Sequence, residues 1–198
     1  MKSIAITGGI GTGKSSVARI LRNMGHTVIS SDEIAHSLLQ KEAAPFAEVI
    51  ATFGPEVLDA SGAIDRRALG AIVFNDPLRR ARLEQILHPA IIERIQQATA
   101  AYAASGKPAL FVEVPLLYEV GMESLFDQVW VVSAAPGEQR NRIGQRDHLN
   151  EAEIRQRMAA QLPLAEKEAR ADQVIVNNAD FHELEQQVQR LLQKLELI

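Results

Sequence analysis

The chain contains no cysteine, which excludes a disulfide framework, a thiolate metal centre and a cysteine nucleophile together. Aromatic residues make up only 5% of its 198 positions and are not interleaved with its arginines, so the stacking platform of a single-strand nucleic-acid binder is missing. A net charge of −4 argues against a grip on nucleic acid by bulk charge. No apolar run approaches the roughly 20 residues that span a bilayer. The N-terminus opens on a strand-like "KSIAIT" with no charged leader region and no cleavage site, so the expectation is a cytoplasmic protein with no membrane or nucleic-acid partner. What is present is an ordinary globular balance, 46% hydrophobic and 23% charged, in a chain long enough to bury roughly 70% of its unfolded surface.

Five apolar runs read as strands: residues 2 to 7, "HTVIS" (26–30), "ALFVEVP" (109–115), "QVWVVSA" (128–134) and "QVIVN" (173–177). They are continuous rather than alternating, as in strands buried on both faces of a parallel sheet. Between the first two, Val17, Ile20, Leu21 and Met24 recur at helical spacing up to Gly25, a C-terminal stop. From about 34 to 107 the pattern is almost wholly helical. "PLRRARLEQIL" and "PAIIERIQQATAAYAA" are separate segments there, with Pro89 as the first residue of the second. A last helix near 182–196 aligns Leu184, Val188, Leu191, Leu192 and Leu195 on one stripe. The expected fold is α/β: three layers, a parallel five-stranded sheet and a helical insert between the second and third strands.

The first strand runs into "GGIGTGKSS", four glycines in six residues followed at once by Lys14, Ser15 and Ser16. Ordering so many glycines costs conformational entropy, so the cluster calls for a purpose. Gly8-x-x-x-x-Gly13-Lys14-Ser15 satisfies the phosphate-loop pattern in the strand-loop-helix context that gives it meaning. Glycines let successive N–H groups turn toward phosphate oxygens, and the helix N-terminus adds partial positive charge. Lys14 supplies a mobile cation for the β and γ phosphates, and the Ser15 hydroxyl a ligand for Mg²⁺. The loop Gly8, Gly9, Ile10, Gly11, Thr12, Gly13, Lys14, Ser15 and Ser16 therefore reads as an ATP site in a P-loop NTPase fold.

Phosphotransferases, GTPase switches and mechanical ATPases share such a loop. A guanine-reading Asn-Lys-x-Asp is absent: "NNAD" carries Asn178 where the lysine belongs, and "DASG" (59–62) lies in a polar turn among helices, so both are decoys. Asp32 follows the second strand, at the sheet edge where a carboxylate orients an attacking hydroxyl; its other reading is a helix N-cap or first-turn acid. Arg140, Arg142, Arg146, Arg155 and Arg157 cluster on two helical segments. As a group they read as a lid that meets phosphoryl charge, and singly as a solvated face.

"TGGIGTGKS", "SSDEIA", "LHPAI", "VPLLYE", "QRNRIGQRD" and "RMAAQLPLAEKEARADQVIVNNAD", taken in order, resemble the dephospho-CoA kinase family over essentially the whole chain. The resemblance implies transfer of the γ-phosphoryl group of ATP to the ribose 3′-hydroxyl of dephospho-CoA, with Mg²⁺ and no obligate protein partner. It implies a nucleotide-binding core (1–31, 109–136, 172–198), a helical CoA-binding insert (32–108) and a lid (137–171). Carried over, Asp32 is the catalytic aspartate, Lys14 and Arg140 are catalytic with it, and Arg140 and Arg146 face the phosphates or adenine. Asn177 takes the family's adenine-side position, with loop capping as its other reading. His88, Leu117 and Tyr118 lie toward the acceptor; alternatively His88 is a cap or packing residue and the other two are core. Glu113 stands where many members carry Asp, and "SSD" leaves Asp32 as the one acid kept from a commoner pair. Two further readings remain: a nucleoside or nucleotide kinase of the same architecture, and a regulatory module that holds nucleotide without turnover.

Overall fold

The computed structural model describes residues 1–74 and 76–198. In chain order its elements are β1 (Lys2–Gly8), α1 (Lys14–Asn23), β2 (Thr27–Ser30), α2 (Ser31–Ser37), α3 (Ala44–Phe53), α4 (Arg66–Phe74), α5 (Pro77–Ala104), β3 (Ala109–Glu113), α6 (Leu117–Val120), β4 (Gln128–Ser133), α7 (Pro136–Asp147), α8 (Glu151–Ala159), α9 (Leu164–Ala169), β5 (Gln173–Val176) and α10 (Phe181–Lys194). Two compact units divide them: Met1–Ser30 with Thr99–Ile198, and Ser31–Ala98.

The first unit carries a five-stranded sheet in the order β2-β3-β1-β4-β5, parallel throughout. Continuous apolar strands are the reason: β1 and β4 are buried along nearly their whole length, which leaves no face for water and requires helices on both sides. Ile4 and Ile6 of β1 share a cluster with Phe111, Trp130, Val132 and Ile175 from the other strands, roofed by Val17, Ile20 and Leu21 of α1 and Leu184, Val188 and Leu192 of α10. Phe111 and Trp130 meet edge to face at 5.4 Å. Each such side chain contributes about 1.5–3 kcal/mol by leaving water. The open edge at β5 is closed by α10, where the Gln187 amide accepts from Val176 N at 3.0 Å and donates to Val176 O at 2.8 Å, blunting an edge that would otherwise template pairing.

The regular elements of the second unit are helical. Val49 and Phe53 of α3, Val57, Ile64, Leu69 of α4 and Ile86 of α5 form its core. The "DASG" turn is an Asx turn: the Asp59 carboxylate accepts from Ser61 N, Ser61 Oγ and Ala63 N, and the Ser61 hydroxyl above all holds its pKa below the usual carboxylate range.

One sequence expectation needs correcting. Pro89 does not begin a helix: α5 is a single helix of 28 residues with Pro89 inside it and His88 at mid-helix, so a capping role for His88 at a helix start is removed. An internal proline forfeits one helical hydrogen bond and costs about 3 kcal/mol. The flanking Leu, Glu, Gln, Arg and Ala residues are strong helix formers that carry the helix through.

Candidate active site

At the carboxyl end of β1, beside the point where the strand order reverses, the glycine loop turns into α1, the place where open α/β sheets bind ligands. Gly13 is the N-cap of α1 in a left-handed conformation, no side chain caps the helix, and its first turn holds no acid. The positive end of the helix dipole is thereby kept for an anion. Lys14 folds back over the loop, its Nζ donating to Gly8 O at 3.2 Å and Gly9 O at 3.0 Å. The buried Thr12 hydroxyl donates to Gly9 O at 2.9 Å.

Glycine is required at three positions here, Gly11 (φ +76°) among them, where a Cβ would lie 2.7 Å from Gln139 O. A Cβ on Gly8 (φ +145°) would lie 2.2 Å from Val132 O, and one on Gly13 (φ +95°) would lie 2.1 Å from Asn177 Nδ2. The Gly8 contact is the backbone of β4, and the Gly13 contact comes from what braces the loop. Asn177, buried just past β5, donates through Nδ2 to Thr12 O at 2.8 Å, while its own N–H is held by Ser133 O at 2.7 Å. Arg142 of α7 donates to Asn177 O at 2.9 Å and to Thr12 O at 3.5 Å, with Glu138 at 3.4 Å. Buried Gln139, one turn earlier on the same helix, donates to Ala134 O at 2.8 Å and packs over Gly9 and Gly11. The front of the loop borders a cleft of about 490 Å³ whose lining includes Gly9, Ile10, Ser133, Gln161 and Glu168.

The structure thus gathers the loop residues Gly8 to Ser16, Asn177 and Arg142. It places Arg140 and Arg146 on the exposed side of α7. Arg140 stands 3.8 Å from Glu151, and Arg146 makes a forked pair with Asp147 at 2.7 and 2.9 Å. Arg157 joins Asp147 at 3.1 Å. The Arg146 guanidinium holds the Asp147 carboxyl below the usual carboxylate range. Leu117 and Tyr118 of α6 are buried, the tyrosine ring lying 4.2 Å under the Arg170 guanidinium; burial pushes its phenol pKa up. In the helical unit, Asp32 occupies the exposed first turn of α2 and His88 is half-buried on α5.

Sequence reasoning missed the support beneath the loop. Lys167 of α9 is fully buried and pairs with Glu119 of α6 at 2.7 Å. Nothing local to "PLAEKEA" sets Lys167 apart from a solvated helix lysine, and the lone acid in "PLLYEV" lies far from it in the sequence. Gln161, whose Oε1 accepts from Ile10 N at 2.8 Å, gave no signal of its own.

Mg²⁺ demands hard oxygen donors and keeps much of its shell as water and phosphate. The Ser15 hydroxyl in the first turn of α1 and the carboxylate of Glu113 at the end of β3 are donors of that kind, so the residues present fit the ion.

Comparison with known proteins bears on the same site. The family model described as Dephospho-CoA kinase matches residues 2–183. A dephospho-CoA kinase from Anaeromyxobacter dehalogenans is 48% identical over 195 residues, covering 98% of this chain and 92% of the relative. Among solved structures, a Thermus thermophilus protein superposes with a TM-score of 0.83 at 34% identity, covering 98% of this chain and 97% of that one. A dephospho-CoA kinase from Campylobacter jejuni gives a TM-score of 0.75 at 30% identity, with coverage of 98% and 96%.

Proposed function

The chain belongs to the dephospho-CoA kinase family, whose members phosphorylate dephospho-CoA with ATP in the last step of coenzyme A biosynthesis, and from that premise we propose which of its residues do the work. The observation that carries the reading is the uncapped N-terminus of α1 behind a loop braced by Asn177 and Arg142. A triphosphate enters a cradle already shaped for it, and little ordering cost is left to binding.

Lys14 leaves the Gly8 and Gly9 carbonyls for the β and γ phosphates, exchanging neutral acceptors for charged ones, which makes stronger bonds. Asp32 accepts or orients the proton of the ribose 3′-hydroxyl as it attacks the γ-phosphorus in line. Arg140 is held by an exposed ion pair with Glu151, worth about 0–1 kcal/mol, and Arg146 exchanges its forked pair with Asp147 for phosphate oxygens, so that both meet charge that spreads over the transferring group. Arg142 is committed to the loop. Asn177 acts on ATP through Thr12 and Gly13. Leu117 and Tyr118 support the acceptor side from beneath, and His88 contacts the acceptor from α5.

Ser15, assisted by Glu113, would hold Mg²⁺, which would supply neutralisation of phosphate charge. A pocket of about 450 Å³ in the helical unit, lined by Leu38, Pro45, Ala90, Glu93, Arg94 and Gln97 among others, takes part of the CoA moiety. Among the described residues no helix is long and apolar enough to cross a membrane. We place the enzyme in the cytoplasm, acting on ATP and dephospho-CoA without nucleic acid or an obligate protein partner.

The test is ADP release with ATP and Mg²⁺ against a panel of dephospho-CoA, adenosine, AMP, thymidine and shikimate, with mass spectrometry of each product. Dephospho-CoA alone is expected to gain one phosphoryl group; preference for another acceptor overturns the substrate assignment and the role of His88 with it.

A further inference from the structure

The Gly9–Ile10 peptide is held from both sides. Its carbonyl accepts from Thr12 Oγ1 at 2.9 Å and Lys14 Nζ at 3.0 Å, and its N–H donates to Gln161 Oε1 at 2.8 Å. A peptide plane rotates as a unit, so an acceptor on the N–H side works with the donors on the carbonyl, Thr12 N at 3.4 Å among them, to set where the carbonyl points. Gly9 supplies one of the two torsions about which this plane turns, and with no side chain to restrain that torsion the plane is easy to turn over unless something pins it.

Gln161 is itself pinned by buried charge. The next residue, Leu162, donates its N–H to Glu119 Oε1 at 2.9 Å. The same oxygen receives Lys167 Nζ at 2.7 Å, and Nζ also reaches Pro115 O at 3.4 Å. Removing either member of such a pair leaves an uncompensated buried charge, so the anchor is stiff. A carboxamide also accepts the Ile10 N–H without adding negative charge where a triphosphate must sit.

We propose that Gln161 is a positioning residue for phosphoryl transfer: by holding the Ile10 N–H it fixes the Gly9 carbonyl on which Lys14 rests before nucleotide recruits it. It acts through the loop and touches no reacting atom. Its hydrogen bond goes to Ile10, ahead of the first turn of α1, so it governs the front of the loop more than the helix N-terminus that retains a diphosphate. This inference rests on the kinase reading and deepens it.

The experiment compares the full-length wild-type chain with Gln161→Met, which keeps the volume and removes the acceptor, and Gln161→Glu, which keeps an acceptor oxygen. Three readouts are taken: amide hydrogen exchange at Ile10 without nucleotide, with Val131 of β4 as reference; kcat; and the Kd for ADP. In Gln161→Met, Ile10 exchange is expected to rise at least tenfold with Val131 unchanged, and kcat to fall at least tenfold with the ADP Kd within twofold. Gln161→Glu is expected to retain protection of Ile10. The proposal is overturned by wild-type Ile10 exchange or wild-type kcat in Gln161→Met, by loss of Ile10 protection in Gln161→Glu, or by a fall of kcat and ADP affinity together with faster exchange at Val131, the pattern of general loosening. The exchange readout needs no turnover, so its failure is distinguishable from failure of the kinase reading, which shows as wild-type enzyme without acceptor-dependent ADP.

Discussion

Gly13→Ala concentrates the strain of the whole loop on one methyl group. The new Cβ would lie 2.1 Å from Asn177 Nδ2 on a backbone at φ +95°. An L residue in the left-handed region costs about 1–2 kcal/mol. Displacing Asn177 breaks its 2.8 Å bond to Thr12 O, and an orphaned buried partner costs about 1–3 kcal/mol more. Together that is roughly 2–5 kcal/mol against the nucleotide-ready loop, which at tenfold per 1.4 kcal/mol weakens ADP binding by about 30-fold to a few thousandfold. The assay is titration calorimetry with ADP. Gly121→Ala is its control: that glycine has φ +71° with nothing within 4 Å of the added Cβ, so the substitution pays only the conformational cost and leaves ADP affinity unchanged. ADP affinity within threefold of wild type in Gly13→Ala would refute the argument that Asn177 and Gly13 together set the loop.

Further outcomes are expected elsewhere. Asp32→Asn keeps ADP affinity and loses about 10²–10⁴-fold in kcat, the usual share of a general base; near-normal turnover removes Asp32 from the mechanism. Lys167→Met strands Glu119 and lowers stability by about 3–5 kcal/mol in denaturant unfolding, whereas adding Glu119→Gln restores most of it; equal stability of the two variants would mean that the pair is not coupled. His26 lies against Phe111 at 5.4 Å, and burial lowers its pKa. The unfolded chain therefore takes up the proton first, and stability present above about pH 6.5 declines as pH falls through that value. In His26→Phe the unfolding free energy is flatter between pH 7.5 and 5 than in wild type, each stated on the scale of about one histidine titration; an unchanged slope would show that His26 does not carry the effect.

The strands and the loop were legible because local chemistry decides them: continuous β-branched runs admit little but a buried parallel strand, and the glycine spacing with Lys14 and Ser15 has one physical use. Pro89 misled because a proline reads locally as a boundary, while the neighbours that carry α5 past it act over several turns. The arginines of α7 show a different limit. At about 100° per residue, Arg140 and Arg142 flank the face marked by Gln139 and Ile143 on opposite sides, about 80° from it. Which of the two reaches the loop depends on how the helix lies on the sheet, and the fold turns Arg142 inward. Lys167 was hidden for the same reason, since a lysine is read as solvated until its buried partner is known.

³¹P NMR of the product formed from ATP and dephospho-CoA under wild-type enzyme reads the transferred phosphoryl group and its position at once. One new phosphomonoester resonance is expected, coupled to the ribose 3′ proton and equal in amount to the ADP released. ADP without that resonance, or a phosphoryl group on any other hydroxyl, would contradict transfer to the 3′-hydroxyl.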